Sequence, residues 1–113
     1  MESQVELNED RLRILGKFQE RFPGVNAAMD GVRNEVYKDG ALSLKIKRLM
    51  SLAIALRVGC VNCILSQVLH ALKAGASTDE ILETLSVEIS MSGTTGVAES
   101  LRVIKLLEEL GKL

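Results

Sequence analysis

The sequence predicts an all-α fold, and three observations support that prediction. Alanine and leucine, which favour helices, recur along the chain, and it contains only one proline. No window shows the strict alternation of β-branched residues that marks a strand. Apolar residues make up 47 % of the chain but aromatic residues only 3 %. We therefore expect residues 1–113 to form a single domain, a bundle of about six helices around an aliphatic core.

The charge pattern argues against nucleic-acid and membrane partners. Fourteen basic and fifteen acidic residues are interspersed to a net charge of −1, without the basic patch that phosphate binding needs. The opening MESQVELNED is acidic and polar, unlike a secretory signal or a transit peptide. The longest nearly apolar run, residues 49–58, is too short to span a bilayer. The sequence therefore predicts a soluble, cytoplasmic protein.

The first two helices are predicted from capping signals and apolar spacing. Residues 1–8 are expected to be a loose lead-in, with Asn8 as the cap of a helix that ends near Pro23. A second helix is expected from about Val25 to Lys38. Its apolar residues recur at the spacing of one helix face, and they are Val25, Met29, Val32 and Val36.

The third predicted helix is apolar nearly all round. Ser43 is its expected cap, and the helix is predicted to run from Leu44 to Val58, where Gly59 ends it. From Leu49 onward most of its side chains are apolar on every side. A helix of this kind is buried on several sides. In a chain this small, the pattern predicts burial against another subunit.

A fourth helix is predicted to begin at or near Cys60 and to end at Lys73 or Ala74. Gly75 fits the left-handed backbone position that follows such a helix. Its apolar positions are Val61, Ile64, Leu65, Val68, Leu69 and Leu72.

The last two helices are separated by a glycine- and threonine-rich break. Ser77 and Glu80 have the spacing of a capping box, which predicts a fifth helix over about residues 78–91. Residues 92–96 read as the break, and a sixth helix is expected over about residues 97–110.

The two cysteines, Cys60 and Cys63, are the candidate reactive groups. A spacing of three residues at a helix start brings two thiols close enough for a disulfide, and the unpaired N–H groups there favour a thiolate. The alternative is that both are buried and act as small apolar residues. A zinc site is not expected unless subunits share it, because His70 lies about 10 Å along the helix axis from Cys63 and a structural zinc ion needs four ligands.

Several segments of the chain resemble the carboxymuconolactone decarboxylase family, in particular its alkylhydroperoxidase D-like branch. The similarity covers roughly residues 40–110 and is carried by Leu44–Met50, Gly59–Ile64, Ala71–Ser77 and Glu80–Ile81. The resemblance implies an all-α domain that assembles into trimers or hexamers. It also implies a thiol-dependent, antioxidant peroxidase or disulfide reductase of the peroxiredoxin type, without a cofactor, that takes electrons from an external dithiol. In that chemistry Cys63 attacks the peroxide or disulfide and Cys60 resolves the intermediate.

The chain departs from that branch at two positions of the implied proton relay. The family's glutamate, twelve residues before the first cysteine, is Arg48 here, and its histidine, four residues after the second, is Gln67. Neither side chain is a general base at neutral pH. Arg48 is a candidate for stabilising a thiolate by its charge, and otherwise a surface residue. A relay through Cys63, Gln67 and His70 is the other substitute, although a lone histidine there is more often packed or solvated.

Three functions remain open on the sequence. The first is the thiol peroxidase or disulfide reductase just described. The second is lactone decarboxylation, the other branch of the family, for which the chain supplies few acid–base groups. The third is a non-catalytic, redox-sensing oligomer that kept the cysteines and lost the relay. Glu99, early in the last helix, is explained by the helix dipole and is left outside the site.

Overall fold

Six α-helices and no strand make up residues 1–113 in a computed structural model of the chain, which confirms the all-α prediction. The helices are α1 (Gln4–Arg21), α2 (Pro23–Val36), α3 (Leu44–Val58), α4 (Val61–Lys73), α5 (Thr78–Ser92) and α6 (Thr94–Glu109). None of them is both long and apolar enough to cross a membrane.

Helix α3 lies at the centre of the bundle and contacts α4, α5 and α6. Its buried face is aliphatic, as the composition predicts, and it meets buried residues of the other three helices in one core. Full burial of a leucine side chain stabilises the fold by about 1.5–3 kcal/mol, so this face anchors the chain. Its buried residues are Leu49, Leu52, Ala55 and Leu56.

Local capping signals set both ends of α3, as predicted. The Ser43 hydroxyl oxygen accepts a hydrogen bond from the backbone N–H of Ile46. At the other end Gly59 adopts a φ of 77°, a left-handed conformation that a residue with a Cβ rarely takes. The N–H groups of Gly59 and Cys60 both donate to the carbonyl of Ala55, which turns the chain directly into α4.

The predicted capping box of α5 is present and is tied to α3. The Ser77 hydroxyl accepts from the Glu80 N–H, and the Glu80 carboxylate accepts from the Ser77 N–H. Lys45 of α3 reaches the same carboxylate, with 2.8 Å between Nζ and Oε2. These contacts, the Lys45 hydrogen bond foremost, hold the pKa of Glu80 below its usual range.

The prediction of a loose lead-in capped by Asn8 is wrong. Helix α1 begins at Gln4, its cap is Ser3, and Asn8 is buried within the helix. The Ser3 hydroxyl donates to Glu109 Oε2 at 2.5 Å, and the Gln4 N–H donates to Glu109 Oε1 at 2.7 Å. Because Glu109 lies at the far end of the chain, local sequence carried no sign of this cap.

Two other boundaries differ from the predictions. Helix α2 begins at Pro23, whose fixed φ suits the first helical position, and ends two residues earlier than expected. Lys47 of α3 donates to the carbonyls of Val36 and Lys38, which satisfies the end of α2. The break between α5 and α6 is only Gly93, with a φ of 62°, so α6 starts earlier than predicted.

An apolar surface remains open on the outer side of α2 and α3. Helix α2 has no buried residue, and its predicted apolar face is exposed. On α3, the face opposite the core is also open, and the exposed fraction of Ile54 is 62 %. A groove of about 290 Å³ between the two helices is lined by Val36, Tyr37, Lys47, Met50, Ser51 and Ile54.

Hydrogen bonds from Ser3 and Gln4 to Glu109 join the two ends of the chain. They predict a specific pH dependence of the free energy of unfolding. The Ser3 hydrogen bond, followed by that of the Gln4 N–H, lowers the pKa of Glu109 from its ordinary value of 4.5. Its stabilising effect is therefore complete above that value and is lost as the pH falls through the depressed one. In urea unfolding, we expect Glu109→Gln to be less stable than the parent protein at pH 6.

The difference between the two proteins should shrink towards zero as the pH falls below the folded-state pKa. Glu108→Gln is the matched control, because Glu108 is exposed and contacts only Lys105, at 4.0 Å. A stability difference between the Glu109→Gln protein and the parent that does not change with pH would contradict the assignment.

Candidate functional site

The turn between α3 and α4 presents the two cysteines. Cys60 is the N-cap of α4, and its sulfur accepts a hydrogen bond from the Cys63 N–H at 3.3 Å. The two cysteines form a disulfide, with their Cα atoms 5.2 Å apart. Because Cys63 lies in the first turn of α4, both sulfurs are at the positive end of the helix dipole. The positive φ at Gly59 is what places them there.

The cysteines differ in their access to solvent. Cys60 is half-buried, whereas Cys63 is exposed, and neither belongs to the hydrophobic core. The alternative interpretation as two buried apolar residues is therefore wrong. Reagents in solution reach Cys63 more easily than Cys60.

The residues that replace the family's relay contact each other. Arg48 Nη1 donates to Gln67 Oε1 at 3.3 Å, which links α3 to α4. The Arg48 guanidinium also lies over the Tyr37 ring, 3.5 Å from its centroid. Burial lowers the pKa of Arg48, and the interactions with Tyr37 partly oppose this. Neither contact involves a cysteine sulfur.

Tyr37 is held in place beneath the guanidinium. The Ser51 hydroxyl donates to the carbonyl of Lys47, so the phenol of Tyr37 donates to Ser51 Oγ, at 2.6 Å. The stack therefore fixes the orientation of Arg48, which sequence reasoning left open. Tyr37 carried no functional signal in the sequence, because its partners come from the next helix.

His70 lies on the same face of α4 as Gln67, and its backbone carbonyl accepts a hydrogen bond from the Ala74 N–H. Its side chain is exposed, and no hydrogen bond joins it to Gln67 or Cys63. Burial of the ring, followed by the charge of Arg48, lowers the pKa of His70 from 6.5. The imidazole is therefore mostly neutral at pH 7. The three-residue relay considered from the sequence has no direct link in this structure.

Glu99 of α6 lies close to the turn that carries the cysteines. Its Oε1 atom lies 3.9 Å from the position that a Cβ on Gly59 would occupy, while its Oε2 atom is buried without a hydrogen-bond partner. The sequence explanation by the helix dipole did not anticipate this position, because nothing in the sequence indicated that α6 packs against α3.

A second carboxylate, Glu88, is buried between α5 and α6. Its exposed fraction is only 4 %, and both of its oxygens lack a hydrogen-bond partner. The hydroxyls of Ser92 and Ser100 are buried and unpartnered as well. A Cβ on Gly96 would lie 2.7 Å from Glu88 Oε2 and 3.0 Å from the Ser92 Cβ, so a larger residue would require the buried carboxylate or its neighbours to shift. No three His, Cys, Asp or Glu side chains are grouped closely enough to hold a metal ion.

Comparison with known proteins identifies the family. A model of the carboxymuconolactone decarboxylase family matches residues 23–106, well over half of the chain. The chain belongs to this family. The resemblance to this family that was drawn from the sequence is thus confirmed.

Two solved structures from this family are similar to the chain along most of its length. A carboxymuconolactone decarboxylase family protein from Legionella pneumophila, in its apo form, has a TM-score of 0.87 and 27 % sequence identity, with 94 % of this chain and 95 % of that chain covered. A family protein from Thermotoga maritima, described with a suggested role in the antioxidative response, has a TM-score of 0.78 and 27 % identity, with 91 % and 88 % covered.

Two further relatives are known from their sequences. An uncharacterised protein from Cupriavidus necator is 28 % identical over 98 residues, 87 % of each chain. Uncharacterised protein 4 of the cox locus in Paracoccus denitrificans is 27 % identical over 96 residues, 85 % of this chain and 86 % of the other.

The close approach at Gly96 predicts a stability effect. We expect Gly96→Ala to destabilise the fold by about 1–3 kcal/mol, because the added methyl group overlaps the Glu88 carboxylate. The free energy of unfolding, measured in urea, checks this value. Gly31→Ala is the matched control: nothing lies within 4 Å of its added Cβ in α2, and alanine in a helix interior should stabilise by about 0.5–1 kcal/mol. Equal effects of the two substitutions would contradict the packing described here.

Proposed function

We propose that the chain is a thiol–disulfide oxidoreductase that reduces peroxides or disulfides, with Cys63 as the attacking thiol and Cys60 as the resolving thiol. The observation that carries this proposal is the exposed Cys63, disulfide-bonded to the N-cap cysteine of its own helix. The suggested antioxidative role of the Thermotoga maritima relative points to the same chemistry.

In the oxidative half of the reaction, the Cys63 thiolate attacks one oxygen of a hydroperoxide. The O–O bond breaks, the sulfenic acid of Cys63 forms, and the alkoxide leaves and takes up a proton to become an alcohol. The Cys60 thiolate then attacks the Cys63 sulfur. The S–S bond forms and hydroxide leaves, which becomes water on protonation. The peroxide is reduced and the two thiols are oxidised to the disulfide.

In the reductive half, an external dithiol attacks the exposed sulfur of Cys63. The S–S bond to Cys60 breaks, and Cys60 leaves with the electron pair. As the N-cap, the Cys60 sulfur accepts the Cys63 N–H and lies at the positive end of α4, so its thiolate is stabilised. A stabilised leaving thiolate accelerates exchange. The second thiol of the donor then displaces Cys63 and completes the reduction.

Proton transfer in this site differs from that implied by the family's relay. Arg48 and Gln67 occupy the relay positions and bind each other, and neither accepts a proton at neutral pH. The thiolate therefore depends on the helix terminus and on the surrounding positive charge. We expect peroxide turnover to be slow. This same feature favours the second candidate, a redox sensor that cycles between dithiol and disulfide without rapid turnover.

The open apolar surface supports assembly into a homo-oligomer, a trimer or hexamer. Exposed apolar patches mark interaction sites, and this surface is mostly apolar, which suits a second copy of the chain. The surface consists of Val25, Met29, Val32 and Val36 of α2 with Met50, Ile54 and Val58 of α3.

The cysteine roles predict distinct products in single variants. After reaction with tert-butyl hydroperoxide, Cys60→Ser should retain a sulfenic acid on Cys63, because the resolving thiol is missing. Trapping with dimedone and mass spectrometry measures it. Cys63→Ser should lose at least nine-tenths of the dithiol-dependent peroxide consumption.

Ser66→Ala, on the same helix, is the control and should leave consumption unchanged. Trapping on Cys60 in the Cys63→Ser protein, at the parent rate of peroxide loss, would reverse the assigned roles. A parent protein that forms the disulfide with peroxide but turns over no faster than the uncatalysed reaction would favour the sensor.

The proposed interface predicts that charged substitutions in the apolar surface lower the molecular mass of the assembly. Sedimentation equilibrium of the parent protein should give three or six times the chain mass. Val32→Lys combined with Ile54→Lys should reduce that mass, because two charges would be buried in the interface. Val87→Lys, at an exposed position on α5, is the matched control. A monomeric parent protein at micromolar concentration would disprove the proposed assembly.

A further inference from the structure

Three cations without an ion-pair partner lie near the face of α4 that carries Gln67 and His70. Five ion pairs occur in the structure, and none of them includes Arg11, Arg48 or Lys73. These three residues come from three different helices, α1, α3 and α4. Six further cations also lie outside the ion pairs, but Arg11, Arg48 and Lys73 are the unpaired cations whose charge acts on His70 of α4.

Neutral groups hold both guanidiniums in place. Arg48 stacks on Tyr37 and donates to Gln67. Arg11 donates twice to Oδ1 of the buried Asn8, at 3.0 Å from Nε and 2.6 Å from Nη2. Burial lowers the pKa of both arginines. The two cations are thus partly removed from water, oriented, and lacking a counter-charge.

The positive charge converges on one stretch of α4. Gln67, which receives the Arg48 hydrogen bond, lies one helical turn after Cys63, and His70 follows three residues later. The charges that act on the His70 ring are those of Arg48, Lys73, Arg11 and Arg33, and no carboxylate offsets them. Arg33 is itself paired with Asp30 at 3.5 Å, on the exposed side of α2.

Glu99, the carboxylate close to Gly59, forms no ion pair with these cations, so an anion bound on this face would supply their missing counter-charge. Bonds from guanidinium to carboxylate are charge-assisted and about twice as strong as neutral ones. The Arg48 fork is already oriented by Tyr37, so less side-chain freedom is lost on binding. Arg48 is an uncompensated, partly desolvated cation that contacts Gln67, one helical turn from the reactive Cys63. Removing such a cation from water is unfavourable unless a partner arrives, so we treat it as a recognition feature.

We propose that the α4 face between Cys63 and His70 is a binding site for the carboxylate group of an anionic disulfide substrate, with Arg48 as the anchoring residue. The inference deepens the proposed function, on which it rests, by naming the charge class of the substrate. Arg11 and Lys73 add attraction without contacting the reacting sulfur. Arg48 is therefore a specificity-determining residue and not a proton acceptor.

The reaction at this site is an exchange of disulfides. The Cys63 thiolate attacks one sulfur of the bound R–S–S–R, a bond forms between Cys63 and that sulfur, and the other RS⁻ leaves with the electron pair. The Cys60 thiolate then attacks the Cys63 sulfur and releases the second RS⁻. The substrate gains two electrons and the protein forms the Cys60–Cys63 disulfide. The two protons lost by the protein thiols neutralise the released thiolates.

A charge series of disulfides tests the proposal. The reduced protein is mixed with dithiodipropionate, hydroxyethyl disulfide or cystamine, which are anionic, neutral and cationic on similar skeletons. Each rate constant is divided by that of dithiothreitol with the same disulfide, which removes intrinsic reactivity. At 20 mM salt we expect the anionic disulfide to exceed the neutral one by about tenfold and the cationic one to fall below it. At 0.5 M salt the differences should largely disappear.

Variants at Arg48 assign the preference to this residue. Arg48→Gln should remove most of the anionic preference, whereas Arg48→Lys should keep part of it, since the charge remains. Lys112→Gln, which removes an exposed cation near the start of α5, is the matched control. Equal normalised rates for the three disulfides in the parent protein would overturn the proposal, as would a preference that Arg48→Gln leaves intact. If Arg48→Gln does not fold, two other measurements test the proposal. Lys73→Gln should lower the preference for the anionic disulfide, and high salt should abolish that preference in the parent protein. A preference that neither change reduces would overturn the proposal.

A second readout separates this proposal from the proposed function. Iodoacetate and iodoacetamide alkylate the Cys63 thiolate without any disulfide exchange, and they differ in charge. A raised iodoacetate-to-iodoacetamide ratio, relative to dithiothreitol and lowered by Arg48→Gln, supports the anion site even in a protein that reduces no disulfide. A ratio equal to that of dithiothreitol rejects the anion site even in a protein that is an active reductase.

Discussion

The burial of one face of α3 is the constraint on which the rest of the structure depends. Leu52 and Leu56 are almost completely removed from water against α4, α5 and α6, and they fix the direction of the helix. Gly59 then reverses the chain at the end of that helix, and Cys60 caps the next one. Because the turn is short and bonded back to Ala55, the reactive sulfurs are attached rigidly to the core. The chemistry of the pair follows from this placement at a helix terminus.

The parts of the fold that sequence reasoning predicted are those with local causes. Ser43, Gly59 and the Ser77–Glu80 box each act within a few residues, and the helices they delimit agree closely with the expected bounds. The start of α1 escaped prediction because Glu109 supplies its partner across nearly the whole chain. A local sequence rule cannot identify Ser3 as the cap, because the contact that decides it is made with Glu109 at the other end of the chain.

The same distinction between local and long-range causes applies to the candidate site. Cys60 and Cys63 were identified from their spacing and from the glycine before them, which are local features. The departures at Arg48 and Gln67 were recognised only through the family resemblance, and their mutual contact came from the packing of α3 on α4. Glu88 carried no signal in the sequence, and Glu99 was noticed but set aside, since the surroundings of both depend on the packing of α6 against other helices. Sequence patterns therefore located the reactive atoms but not the electrostatic environment that governs them.

The weak attachment of α2 has a consequence for the reactivity of the cysteines. This helix has no buried residue, and Tyr37, which orients Arg48, is its C-terminal cap. Local opening of α2 would withdraw the aromatic platform and let the guanidinium swing away from α4, while the core and the disulfide stay intact. A partner that covers α2 would suppress that opening and so keep the charge of Arg48 on the face of α4 that carries Gln67 and Cys63. The electrostatic state of the thiol is thereby coupled, through a single ring, to the occupancy of a surface on another helix.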